Sequence, residues 1–164
     1  MTVRREIAKE TRASLAMNGT VGVRWRLSWS EGRRMLKEKI EEVARANRDF
    51  YEAFESLDIM RMDRVWAQQE YVTCIHPGWT LRVGWPAVRD SWVLIFNNTF
   101  SMKFDLTEIQ IQVAGDVAWV ICTENITSQQ GETGLESRVL ATNLFEKVEG
   151  RWLMIHHHGS PVMG

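Results

Sequence analysis

The chain has 164 residues, 45% of them hydrophobic and 25% charged, which suits one soluble globular domain burying about two thirds of its unfolded surface. A formal net charge of -1 supplies no long-range field for nucleic acid or an acidic membrane, so neither is expected as a partner. The longest apolar run, Val117 to Cys122, is far shorter than the ~20 residues of a bilayer span, and no basic start leads into an apolar run of the signal-peptide kind.

Residues 1–30 are rich in Arg, carry Gly19 and Gly22 and show no sustained period. They are expected to form a poorly ordered extension, helical at most from Glu6 to Ala16. An organelle-targeting segment is the alternative, and Glu6, Glu10 and Glu31 count against it. Residues 31–164 are expected to make one domain.

A long helix is predicted after Ser30, a candidate cap, because Leu36, Ile40, Val43, Asn47, Phe50, Tyr51, Phe54 and Leu57 recur at three- and four-residue steps. Asp58 suits the N-cap of a short second helix through Met62, Val65 and Trp66. Tyr71 to His76 reads as a short buried strand stopped by Pro77-Gly78. The next helix opens at Gly84-Trp85-Pro86, turns Val88, Trp92, Ile95 and Phe96 inward and ends at Asn97-Asn98.

Four strands follow. Met102, Phe104 and Leu106 keep one parity and Ile109, Ile111 and Val113 the other, so a bulge is expected at Thr107-Glu108. Tight turns at Ala114-Gly115-Asp116 and Glu149-Gly150, with a looser one over Gln129 to Gly134, mark a meander. The predicted fold class is α+β: a curved antiparallel sheet, cone-shaped, wrapped around a long helix with two further helices.

Cys74 and Cys122 sit in apolar runs without metal-type spacing, and buried thiols in a reducing cytoplasm are the simplest account. Eight tryptophans suit either large core fillers or the lining of a pocket. No Gly-rich phosphate loop, nucleophile elbow or paired-carboxylate arrangement is present, so no cofactor is expected. His156-His157-His158 has no acidic or Cys residue obviously placed to complete a metal site, and no metal is expected either. Plain alternation puts His156 and His158 on one sheet face with Trp152 and Met154. Parity with Asn143 and Gly159 instead turns His157 toward the inside.

Local pieces in this order carry a resemblance. Asn47-Arg48-Asp49-Phe50-Tyr51-Glu52-Ala53-Phe54, with Asp58, Met62 and Trp66, is similar to the opening helical pair of the nuclear-transport-factor-2-like superfamily. Cys74-Ile75-His76-Pro77-Gly78, followed by Gly84 and Ser91-Trp92, resembles its SnoaL-like group. Gly115-Asp116-Val117-Ala118 and Gly150-Arg151-Trp152, with His156, His158 and Ser160-Pro161, resemble the association domain of calcium/calmodulin-dependent kinase. The resemblance spans residues 36–162. It implies a conical barrel with an internal pocket and a homodimer packed through the outer sheet face, and it implies no single activity.

The resemblance also suggests site residues. His76 falls near the general-base carboxylate of the superfamily's ketosteroid isomerases, and an imidazole there could remove a proton beside a carbonyl. Asn143 falls where those isomerases hold an oxyanion-stabilising acid and where the kinase domain has a pocket arginine; Gly159 replaces a second such arginine. Phe50 stands at the isomerase's oxyanion tyrosine, and Tyr51 lies about 100° further around the helix. His76 and Asn143 are therefore the candidate catalytic pair. Tyr51, Phe54, Trp66, Trp92, Phe96, Trp119 and His157 are the candidate ligand contacts for a small, partly apolar molecule. Two classes remain open: a ligand-binding domain with cofactor-independent isomerase, cyclase or dehydratase chemistry, and a non-catalytic dimerisation module whose cavity is filled by Trp66, Trp92 and Phe96.

Overall fold

A computed structural model describes residues 29–130 and 133–162. The expected extension covers residues 1–30: residues 1–28, with the helix from Glu6 to Ala16, lie outside the described residues, while Trp29 and Ser30 already belong to the first helix, so Ser30 lies within that helix instead of preceding it as a cap. Three helices and six strands follow in the order α1 (Trp29–Ser56), α2 (Ile59–Val65), β1 (Thr73–Ile75), β2 (Arg82–Val83), α3 (Trp85–Asn97), β3 (Ser101–Ala114), β4 (Val117–Gln130), β5 (Thr133–Val148) and β6 (Arg151–Pro161). None of these helices is long and apolar enough to cross a membrane.

The α1 stripe becomes core only from Val43 onward, where Val43, Asn47, Phe50, Tyr51 and Phe54 are buried, whereas Leu36 near the start is exposed. Three- and four-residue steps keep those side chains on one helix face. The helix stops at Leu57, whose φ of 53° is left-handed. The Asp58 side chain then accepts the Met60 N–H at 2.8 Å and starts α2, as its N-cap position requires.

The sheet runs β2-β1-β6-β5-β4-β3. Its four long strands are antiparallel, as expected. The short β1 lies parallel to β6 and makes the sheet mixed, and β2, which no alternation announces, pairs with β1. The bulge expected in β3 is present between Thr107 and Gln110, with Glu108 at φ 55°.

A second bulge corrects the strand reading of the histidines. Leu144 pairs with His156 and Phe145 with Met154, so Ile155 is the extra residue in β6. Each extra residue reverses the parity of everything after it. Trp152 and Met154 face inward before the bulge, and His157 and Gly159 face inward after it. His156 and His158 therefore do not share a face with Trp152 and Met154. The Nδ1 of His156 instead meets the Thr73 hydroxyl at 2.7 Å, on β1.

Aromatic side chains from α1 and α3 fill much of the space under the sheet. Trp92 packs edge-on to Phe50 and Phe54, with ring centroids 5.7 and 4.8 Å away, and Trp66 lies 6.4 Å from Trp92. Met62, Phe145 and Met154 complete this buried layer.

Candidate functional site

The turn after β1 gives the site its first group. Pro77-Gly78, with Gly78 at φ 80°, closes a loop in which the Trp79 N–H donates to the His76 carbonyl at 2.9 Å. The His76 ring is thereby held under α3. Its Nε2 lies 2.8 Å from Ser91 Oγ, and the Ser91 hydroxyl donates to the Val88 carbonyl at 2.6 Å. The single hydroxyl proton is thus committed to Val88, and the imidazole must supply the other: Nε2 carries hydrogen and Nδ1 is bare. Burial, with the nearby Arg82 charge, lowers the His76 pKa to about 4, so the ring is neutral at pH 7.

The sheet supplies the second part. His157 on β6 is 2% exposed, and its Nδ1 lies 2.7 Å from Asn143 Oδ1 on β5. Asn143 Nδ2 donates to Asn47 Oδ1 at 2.9 Å and to the Tyr51 hydroxyl oxygen at 3.1 Å. Tyr51 in turn donates to Glu124 Oε1 on β4 at 2.6 Å. The Cys122 Sγ sits 3.4 Å from the same hydroxyl. Burial drives the His157 pKa well below that of a free imidazole, so it too is neutral. Burial pushes Glu124 up to about 7, against the opposing effect of the Tyr51 hydrogen bond. The carboxyl therefore exchanges its proton near neutral pH, the property a proton-transfer group needs.

These parts meet at a cavity of about 270 Å³ lined by Phe54, His76, Pro77, Trp79, Ile95, Met102, Glu124, Ile126 and His157. The His76 and His157 ring centroids are 6.4 Å apart. Of the residues named from the sequence, His76, His157 and Phe54 come together at this wall. Asn143 and Tyr51 stand behind it, fully or nearly buried, and act on the wall through their hydrogen bonds. Trp66, Trp92 and Phe96 belong to the aromatic layer beside the cavity and leave it open. Trp119 is misplaced by the sequence reading: Ala118 and Val120 turn inward, so Trp119 points outward and is 36% exposed.

Glu124 is the site residue that the sequence reading missed. Its signal is present, because Val120, Cys122 and Glu124 share one parity in β4, and a carboxyl on the inward side of an apolar strand calls for a partner or a function. Asn47, inside the apolar stripe of α1, carries the same kind of signal.

Comparison with known proteins places the chain among relatives. The family model described as a SnoaL-like domain matches residues 43–164. The F-box protein SKIP8 of Arabidopsis thaliana is 31% identical over 121 residues, covering 74% of this chain and 50% of that protein. The chain spans about half the length of this curated relative. Among solved structures, a Streptomyces avermitilis protein provisionally described as a dehydratase of the NTF2-like family is 37% identical with a TM-score of 0.74, over 78% of this chain and 99% of that one. A Thiobacillus denitrificans protein, provisionally described as a calcium/calmodulin-dependent protein kinase type II association domain, is 30% identical with a TM-score of 0.65, over 72% and 93%.

Proposed function

The chain belongs to the SnoaL-like domain family, and from that premise we propose that it binds a small, partly apolar carbonyl compound in the cavity between His76, Glu124 and His157 and moves a proton on it. The observation that carries this reading is a buried carboxyl titrating near neutral pH on the wall of an otherwise apolar hollow. Lyase or isomerase chemistry without a cofactor fits such a group. The Glu124 carboxylate takes a proton from carbon next to the carbonyl, and the electron pair moves onto the carbonyl oxygen. In an isomerisation the carboxyl returns the proton to another carbon. In a dehydration it gives the proton to a departing β-hydroxyl, which leaves as water, and the carboxylate is restored. The Streptomyces relative's description supports the second course. His76 and His157, both neutral, hold the ligand.

The test is turnover of small β-hydroxy carbonyl compounds, followed by the absorbance of the conjugated product, in wild type, Glu124→Gln and His76→Ala. Turnover in wild type that is lost in Glu124→Gln, with folding intact, supports the reading; equal turnover in both removes Glu124 from the chemistry. Binding without turnover leaves a carrier.

The outer sheet face favours a homodimer. Trp119, Leu144 and His156 stand in one row across β4, β5 and β6, and Leu140 is 47% exposed on the same side. A purely assembly role, the alternative, is weakened by the hollow that Trp66, Trp92 and Phe96 leave open.

A further inference from the structure

The hydrogen bonds behind the cavity run in one direction, and the Glu124 carboxylate sets that direction. An ionised carboxyl can only accept, so Tyr51 donates to it; the Tyr51 oxygen then accepts from the Asn143 amide nitrogen. The other amide proton goes to Asn47 Oδ1. Asn143 Oδ1 is left to face His157 and accepts from Nδ1. His157 is therefore the Nδ1–H tautomer. Its Nε2 has no protein partner among the described residues, and the ring lines the cavity. His76 reaches the same state by a different route, with its proton on Nε2 toward Ser91 and a bare Nδ1 that has only the Cys74 thiol, 3.8 Å away.

From this geometry we propose that the cavity selects ligands by their hydrogen-bond donors: its occupant is a small carbonyl compound with an apolar body that also carries two adjacent hydroxyls, one for each of the His76 and His157 acceptor nitrogens. This rests on the cavity-binding reading above and names the chemical class it takes. Among the other lining residues, Phe54, Pro77, Ile95, Met102 and Ile126 offer no polar side-chain atom, Trp79 adds one indole N–H, and the Glu124 carboxylate is a further acceptor, so the wall is richer in acceptors than in donors. A ligand with acceptors alone would leave the His157 Nε2 unpartnered and the His76 Nδ1 with only the weak Cys74 thiol donor, which is unfavourable. Asn143 and Tyr51 are positioning residues in this scheme, since they act through His157 and Glu124.

Two measurements on the wild-type chain test it. Long-range proton–nitrogen NMR of the imidazoles at pH 7.5 should show His157 protonated at Nδ1 and His76 at Nε2; the opposite tautomer at His157 overturns the proposal. Titration with catechol and with its dimethyl ether, which keeps the ring and loses both donors, should give about tenfold or tighter binding for catechol, with shifts at His76 and His157. Equal or tighter binding of the ether overturns donor recognition and leaves the cavity-binding reading standing. Binding of neither compound overturns donor recognition, and the cavity-binding reading falls with it if the β-hydroxy carbonyl compounds also fail to bind.

Discussion

Gly159 and Pro77 are in direct contact through the space a side chain would fill: a Cβ on Gly159 would lie 3.1 and 3.2 Å from the Pro77 Cγ and Cδ, and 3.0 Å from the Val139 Cγ1. The glycine lets the loop after His76 lie against β6, two residues from His157. Gly159→Ala is expected to destabilise by roughly 1–3 kcal/mol through overpacking, read from urea unfolding. It should also move the His76 ring resonances. An unchanged midpoint would mean that Pro77 yields freely and does not fix the histidine.

Glu124 makes stability depend on pH with a definite sign. Its pKa rises from 4.5 to about 7 on folding, so the native state holds the proton longer than the unfolded chain does. Stability is then lost as pH climbs from 4.5 to about 7, by on the order of 3 kcal/mol in all. Glu124→Gln keeps an acceptor for Tyr51 and removes the titration, so it should raise the melting temperature at pH 8 and leave it nearly unchanged at pH 4.5. A variant less stable than wild type at pH 8 contradicts this account.

The two buried imidazoles act in the opposite sense. His76 and His157 have lowered pKa values, so the unfolded chain takes up their protons first. Stability should fall as pH drops from 6.5 toward about 4, more steeply in Glu124→Gln, where the opposing Glu124 titration is gone. Acid unfolding that vanishes in Glu124→Gln would place its origin elsewhere.

Most of the architecture was legible because it rests on periodicity. The Phe50–Phe54 stripe, the Asp58 cap, the Pro86 start of α3 and the parity switch in β3 each follow from local rules and appear as expected. The position of β1 was not, since three residues pairing in parallel with a strand some eighty positions away leave no local trace. The site was legible in part. His76 and His157 could be placed, His76 by its Pro-Gly turn and His157 by parity with Asn143 and Gly159. For Trp119 and Glu124 residue type and strand parity point in opposite directions, and parity prevails: Glu124 turns inward with Val120 and Cys122, and Trp119 turns outward.

Asn143→Leu keeps the shape of the side chain and removes three hydrogen bonds at once, leaving the His157 Nδ1–H without its acceptor. The expected loss is roughly 3 kcal/mol or more, measured by denaturant unfolding. A loss below about 1 kcal/mol would show that water or a neighbour replaces the amide and that the chain of bonds has little stabilising weight.

The outward row of Trp119, Leu144 and His156 yields a test of assembly. Sedimentation velocity of wild type at micromolar concentration is expected to give twice the chain mass, and Trp119→Glu the single mass. A wild-type monomer, or a variant that still pairs, removes this face as the interface.

The extra residue at Ile155 decides which of three neighbouring imidazoles looks inward. Pairing Ile155 in register, with no bulge, would shift the remainder of β6 by one step and retire His157 to the outer surface. Because His156 and His158 flank it, a slip in either direction would still present an imidazole to the hollow, shifted along the strand. The run of three thus gives the chain tolerance to a pairing error that would erase a lone functional side chain.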